Sequence, residues 1–127
     1  MRKRLVYRAD DLGYTKTYDE GFFKAVDNGI VTSADIMLDC PDSVAALKKL
    51  KDYPWISIGW HAGHLWGSPV AGADKVPNMV NEFGRFKWRK DKKLQDLVTF
   101  EDAYTEYKAQ LELCISVLGR VPDTTSV

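Results

Sequence analysis

Leu5-Val6-Tyr7-Arg8-Ala9-Asp10-Asp11-Leu12-Gly13 opens as an apolar run and closes on two adjacent carboxylates and a turn. Leu5, Val6 and Tyr7 predict a short, mostly buried strand, bounded on one side by Arg2, Lys3 and Arg4. Asp is poor in strands and Leu12-Gly13 signals a turn, so Asp10 and Asp11 are expected at the strand's C-terminal end. In parallel α/β proteins that end carries the chemistry, because loops converge there on one mouth. Two neighbouring acids repel, so a metal, a basic group or a shared proton must offset their charge. The alternative is an Asx-turn that only terminates the strand.

Beyond Gly13, helical and extended periods alternate. Thr17-Tyr18-Asp19-Glu20 has the form of a capping box, with Thr17 capping a helix and Glu20 reaching back. Tyr18, Phe22, Ala25 and Val26 share its apolar face, and Asn28-Gly29 supplies the stop. Ala34, Ile36, Met37 and Leu38 predict a second strand ending at Asp39-Cys40-Pro41. Pro41 suits the first turn of a helix carrying Val44, Ala45, Leu47 and Leu50, which Tyr53-Pro54 ends. Ile56 to Trp60 predict a third strand that ends in His61. Regular alternation of this kind implies right-handed crossovers and a parallel sheet. Asp10 with Asp11, Asp39, and His61 with His64 then share one edge of the sheet.

From Ala62 to Val98 no period is evident, and a structureless segment this long usually serves as a lid or a substrate-binding loop. Its aromatics, Trp66, Phe83, Phe86 and Trp88, suit stacking on a sugar ring or a base, or packing of the loop onto the body. Arg85, Lys87, Arg89, Lys90, Lys92 and Lys93 form a basic cluster, but Asp91 and Asp96 interrupt it. Thr99 then caps a long helix with apolar positions Tyr104, Tyr107, Leu111, Cys114, Ile115 and Leu118, stopped by Gly119. Pro122 and Thr124 to Val127 lead into a further strand.

Composition sets outer bounds. The chain has 127 residues, 45% hydrophobic and 28% charged, as expected for one globular domain. Lys plus Arg and Asp plus Glu each number 18, so no global field points to nucleic acid or membrane. Cys40 and Cys114 lack metal-ligand spacing and read as small apolar residues of a reducing compartment. With no signal-peptide core and no bilayer-length apolar stretch, a cytoplasmic location is expected.

Both histidines fall within four residues, at the strand edge that also holds the acids. A carboxylate with an imidazole suits a divalent ion such as zinc, manganese, cobalt or nickel, and magnesium less comfortably. A second carboxylate kept off the ion can serve as general base. Asp11 would then hold the ion and Asp10 take the proton, or the reverse, since sequence does not show which side chain faces the mouth. His64, three residues past His61, is left open as ligand, substrate contact or neither.

Ala9-Asp10-Asp11-Leu12-Gly13, Asp19-Glu20-Gly21, Asn28-Gly29-Ile30-Val31-Thr32-Ser33, Gly59-Trp60-His61 with Leu65, Gly67 and Pro69, and Gly84-Arg85-Phe86 resemble the YdjC-like (ChbG) carbohydrate deacetylases. The resemblance runs through nearly the whole chain. It implies a parallel (β/α) barrel-type fold, related to the polysaccharide deacetylases, that removes N-acetyl groups from small sugars of the chitooligosaccharide type with one divalent metal ion, magnesium, zinc or similar. It further implies Asp11 and His61 as metal ligands and Asp10 as the catalytic acid/base. His64 stands where the family more often has an apolar residue, so it carries no ligand role and is grouped with Trp66 and Arg85 as an expected substrate contact.

Family members continue past this point and add a further histidine ligand from the next strand, whereas this sequence ends at Val127. A closed barrel needs about 200 residues or more. Residues 1–127 therefore read as the N-terminal part of one barrel domain, with an edge strand that favours homo-oligomerisation, weak metal binding and little activity alone. The expected partners are a small acetylated sugar and other copies of the chain, not nucleic acid or membrane. Two rivals are a receiver-type phospho-acceptor domain, which also has an acid pair after its first strand, and a non-catalytic sugar-binding module.

Overall fold

The structure, a computed structural model, describes residues 3–63, 67–87, 93 and 96–126. Four strands, β1 (Arg8–Leu12), β2 (Ser33–Met37), β3 (Ser57–His61) and β4 (Thr124–Ser126), form one sheet in the order β1-β2-β3-β4. Every pairing is parallel. Helices α1 (Lys16–Asp27), α2 (Ser43–Leu50) and α3 (Phe100–Leu118) connect them, with a short 3₁₀ turn at Pro77–Met79.

Parallel strands laid down in chain order are the arrangement of a (β/α) barrel. In the doubly wound sheet of a receiver-type domain the first strand lies between the second and third. Among the described residues β1 pairs with β2 alone, at the margin, so the order argues against the receiver rival.

The side chains sort by strand alternation. Leu12, Ala34, Ile36 and Ile58 are fully buried toward the helices, where they pack with Phe22, Phe23, Leu47, Leu50, Cys114 and Leu118. Arg8, Ser33, Asp35, Met37, Ser57, Gly59, His61, Thr124 and Ser126 occupy the opposite face, which is mostly polar.

Three expectations need correction. The first strand is Arg8–Leu12 and runs through the acid pair, while Leu5, Val6 and Tyr7 are 79%, 71% and 55% exposed. Hydrogen bonds from Thr32 and Ser33 amides to the Tyr7 carbonyl tie that segment to the sheet only at its end. The cap of α1 is Thr15, whose hydroxyl accepts from the Tyr18 amide, and not Thr17. Asp19 instead accepts from the Gly13 amide at 2.8 Å, closing the turn after β1. Burial, offset in part by that bond, raises the Asp19 pKa above the usual carboxylate range.

The third correction concerns α3. Its caps are as expected: the Thr99 hydroxyl accepts from the Asp102 amide, and Gly119 ends the helix at φ 85°. Its inward face, however, is Asp102, Glu106, Gln110, Cys114 and Leu118, and Tyr104 is 59% exposed. The polar members of that stripe hold the long connection between β3 and α3. Glu106 accepts from the Val70 and Ala71 amides at 3.0 and 2.9 Å, and Asp102 from the Asn78 amide at 2.8 Å. Gln110 donates to the Gly63 carbonyl at 2.8 Å. The connection also has a small core of Val76, Met79 and Phe86, and an antiparallel bridge between Val80 and Phe86. Through residues 67–87 it is a packed loop with turns of its own.

Cys40 and Cys114 are free and buried. Burial above all pushes their thiols up to about 12 and about 11, so neither is a thiolate at neutral pH. Among the described residues, no helix is long and apolar enough to cross a membrane.

Candidate functional site

The acid pair lies on a β-bulge. Ala9 pairs with Ala34 and Leu12 with Ile36, so three steps along β1 match two along β2. The extra residue is absorbed at Asp11, whose φ of 60° is left-handed, a conformation Asp tolerates better than most side chains. A regular strand would send neighbouring side chains to opposite faces. The bulge lets both acids meet partners on the polar face, and the Tyr18 hydroxyl fixes it by donating to the Asp10 carbonyl at 2.7 Å. Asp11 faces His61, and Asp10 faces Arg8.

Asp11 Oδ1 lies 3.1 Å from His61 Nδ1, at the end of β3 two strands away. That nitrogen is buried and, among the described residues, has no hydrogen-bond partner. Two donors each ~2.1 Å from one cation lie ~3.0–3.4 Å apart when they subtend between a right angle and the tetrahedral angle. An unpartnered imidazole nitrogen at that distance from a carboxylate oxygen therefore fits two ligands of one divalent ion. Among the described residues, no group of three His, Cys, Asp or Glu side chains is placed to hold one.

Beneath the pair sits Asp35, which sequence reasoning passed over. It is fully buried in the middle of β2. Its Oδ2 accepts from Arg8 Nη2 at 2.5 Å and from the Ser126 hydroxyl, and lies 4.0 Å from His61 Nδ1. Arg8 Nε donates in turn to Asp10 Oδ1 at 2.9 Å. The hydrogen bond to Asp10 foremost, with the Asp35 charge, raises the Arg8 guanidinium above its ordinary pKa against a smaller desolvation penalty. The legible signal was a carboxylate inside the apolar run Ala34-Asp35-Ile36-Met37, where a strand buried on both faces tolerates a charge only if it is paired.

Gly59 makes room for that carboxylate. A Cβ there would lie 2.4 Å from Asp35 Oδ1 and 2.9 Å from Thr124 Oγ1. Because Asp35 is held by Arg8 and Ser126, it cannot swing away freely. Gly59→Ala is expected to destabilise the chain by about 1–3 kcal/mol, measured by urea denaturation. A loss below about 0.5 kcal/mol, the scatter of surface changes, would show that Asp35 is not held as described.

The other predicted residues fall elsewhere. Asp39 is buried just past β2, near Gly63, and Gly67 packs so closely on its carbonyl that a Cβ would lie 1.5 Å away. Arg85 is exposed at the end of a small turn and lines a cleft of about 460 Å³ with Asp39, Cys40, Gly67 and Ser68. Asp10, Asp11 and His61 do not line that cleft. His64 and Trp66, like Leu65, Trp88, Arg89, Lys90, Asp91 and Lys92 of the loop, lie outside the described residues.

A parallel sheet in chain order, with a carboxylate and an imidazole converging at its C-terminal rim, defines an α/β protein of the barrel kind with its reactive groups at the strand ends. The chain belongs to the YdjC-like protein family, whose family model matches residues 4–123. It is 38% identical over 89 residues to a carbohydrate deacetylase of Geobacillus stearothermophilus, covering 70% of this chain and 35% of that protein. It is 27% identical over 122 residues to a chitooligosaccharide deacetylase of Yersinia enterocolitica, covering 96% and 47%. Among solved structures, a protein of Enterococcus faecalis, provisionally named a cellobiose-phosphate cleavage protein, superimposes with a TM-score of 0.82 at 29% identity. That match covers 99% of this chain and 48% of the other. The chain thus spans half or less of the relatives it matches.

Proposed function

We propose that the chain carries the acid–imidazole part of a metal-dependent carbohydrate deacetylase acting on N-acetylated amino sugars of the chitooligosaccharide type. The observation that supports this most is the 3.1 Å approach of Asp11 Oδ1 to the unpartnered His61 Nδ1 at the rim. Asp11 and His61 would hold a divalent ion, magnesium, zinc or similar, and that ion, when bound, would polarise the amide carbonyl as a Lewis acid. Asp10, exposed at the same rim and paired with Arg8, would take a proton from the attacking water and return one to the leaving amine. His64, Trp66 and Arg85 are proposed sugar contacts. Cytoplasmic location and assembly of copies through the sheet margins complete the reading.

Binding tests it. Acetylated chitobiose titrated calorimetrically onto the zinc-loaded chain is expected to bind more tightly than its deacetylated counterpart. Equal affinities, or none for either, would overturn the proposal. The chain alone is expected to release little or no acetate, because among the described residues two donors, not three, converge. Robust metal-dependent acetate release would refute that expectation.

A further inference from the structure

Asp10 and Asp11 are adjacent, yet their surroundings differ. Asp11 faces His61, and Asp10 faces the Arg8 guanidinium at 2.9 Å. The side chain of Asp10 is 61% exposed, and an exposed ion pair is ordinarily weak, because two flexible chains must be ordered to make it. Arg8 is not flexible in that sense. Its Nη2 is fixed on Asp35 at 2.5 Å, and the Asp35 side chain is 1% exposed and cannot be left without a counter-charge. The ordering is already supplied from beneath, so the contact to Asp10 comes with little further loss of freedom.

We infer that Arg8 is a positioning residue that divides the acid pair: anchored by buried Asp35, its guanidinium engages Asp10 and keeps that carboxylate off the ion, leaving Asp11 as the member of the pair that faces His61. This rests on the metal-binding reading above. Without such a device both carboxylates, on one bulge and one face, compete for the same cation, and an Asp10 bound to metal is lost as a base. The arrangement also assigns Asp35 a purpose: it fixes Arg8 at a depth where the guanidinium reaches Asp10 and stops short of Asp11.

Cobalt(II) titration followed by its visible absorption reads this without any assay of turnover. In the native chain, Asp10→Asn is expected to change cobalt affinity less than about threefold. Arg8→Met alone leaves Asp35 as an unpaired buried charge, so the informative variant is Arg8→Met with Asp35→Asn, which removes both charges. That pair is expected to bind cobalt about tenfold more tightly, the scale of effects outside the ligand shell. Adding Asp10→Asn should return it to the native affinity, and Arg8→Lys should stay near native. Unchanged affinity in the double variant, or tightening that persists with Asp10→Asn, would overturn the inference while leaving the metal site in place. Native cobalt affinity unmoved by Asp11→Asn would instead remove the metal site and this inference with it.

Discussion

Glu106→Ala is expected to lower the unfolding free energy by about 2–4 kcal/mol and to loosen the connection between β3 and α3. Both Glu106 oxygens accept backbone amides, from Val70 and Ala71, and one also accepts from Gln110 at 2.7 Å. Truncation orphans these donors in a partly buried setting, where each unmet hydrogen bond costs about 1–3 kcal/mol. Glu106→Gln retains one acceptor oxygen but turns a donor toward the second amide, so an intermediate loss is expected. Urea denaturation measures the free energy, and amide exchange at Val70 and Ala71 measures the local opening. A loss under about 0.5 kcal/mol with unchanged exchange at those amides would show that α3 does not hold the loop through its polar stripe.

Asp11→Asn and His61→Ala are each expected to abolish saturable binding of zinc by the chain. Structural four-ligand zinc sites gain roughly 10–16 kcal/mol, about 3 kcal/mol per ligand, so one lost donor weakens binding about a hundredfold. With two donors converging among the described residues, the site has no reserve against such a loss. Equilibrium dialysis at rising zinc concentration reads the effect directly. Undiminished binding in either variant would mean that the 3.1 Å approach of these side chains is an ion pair and nothing more. His61→Ala is the cleaner of the two, since Asn at position 11 keeps an oxygen that can still touch a cation.

The sheet was legible because its signals are local and redundant: apolar runs at Ile36 and Ile58, a glycine stop at Gly119 and proline at 54 all point one way. What escaped was set by tertiary context. The strand assigned to Leu5-Val6-Tyr7 begins three residues later because, at the sheet margin, apolar side chains gain little by pairing, and the bulge draws the ladder through the acids. The helix face of α3 was misread because a four-residue spacing of Asp102, Glu106 and Gln110 looks like a solvated stripe until a loop with unmet amides is laid beside it. Two strand ends were enough to expect Asp11 and His61 as neighbours, and they lie 3.1 Å apart, while Asp35 was passed over, since its significance depends on an arginine in a different strand.

The left-handed backbone at Asp11 has a consequence for which residues this position can accept. Few side chains sit comfortably at a φ of 60°: glycine does, asparagine and aspartate do, and glutamate gains nothing from its extra methylene there. Of that short menu only aspartate carries a charge. Backbone shape and ionic character thus restrict the position independently and agree on one amino acid, so drift toward a longer acid is closed by the chain's geometry before chemistry is consulted.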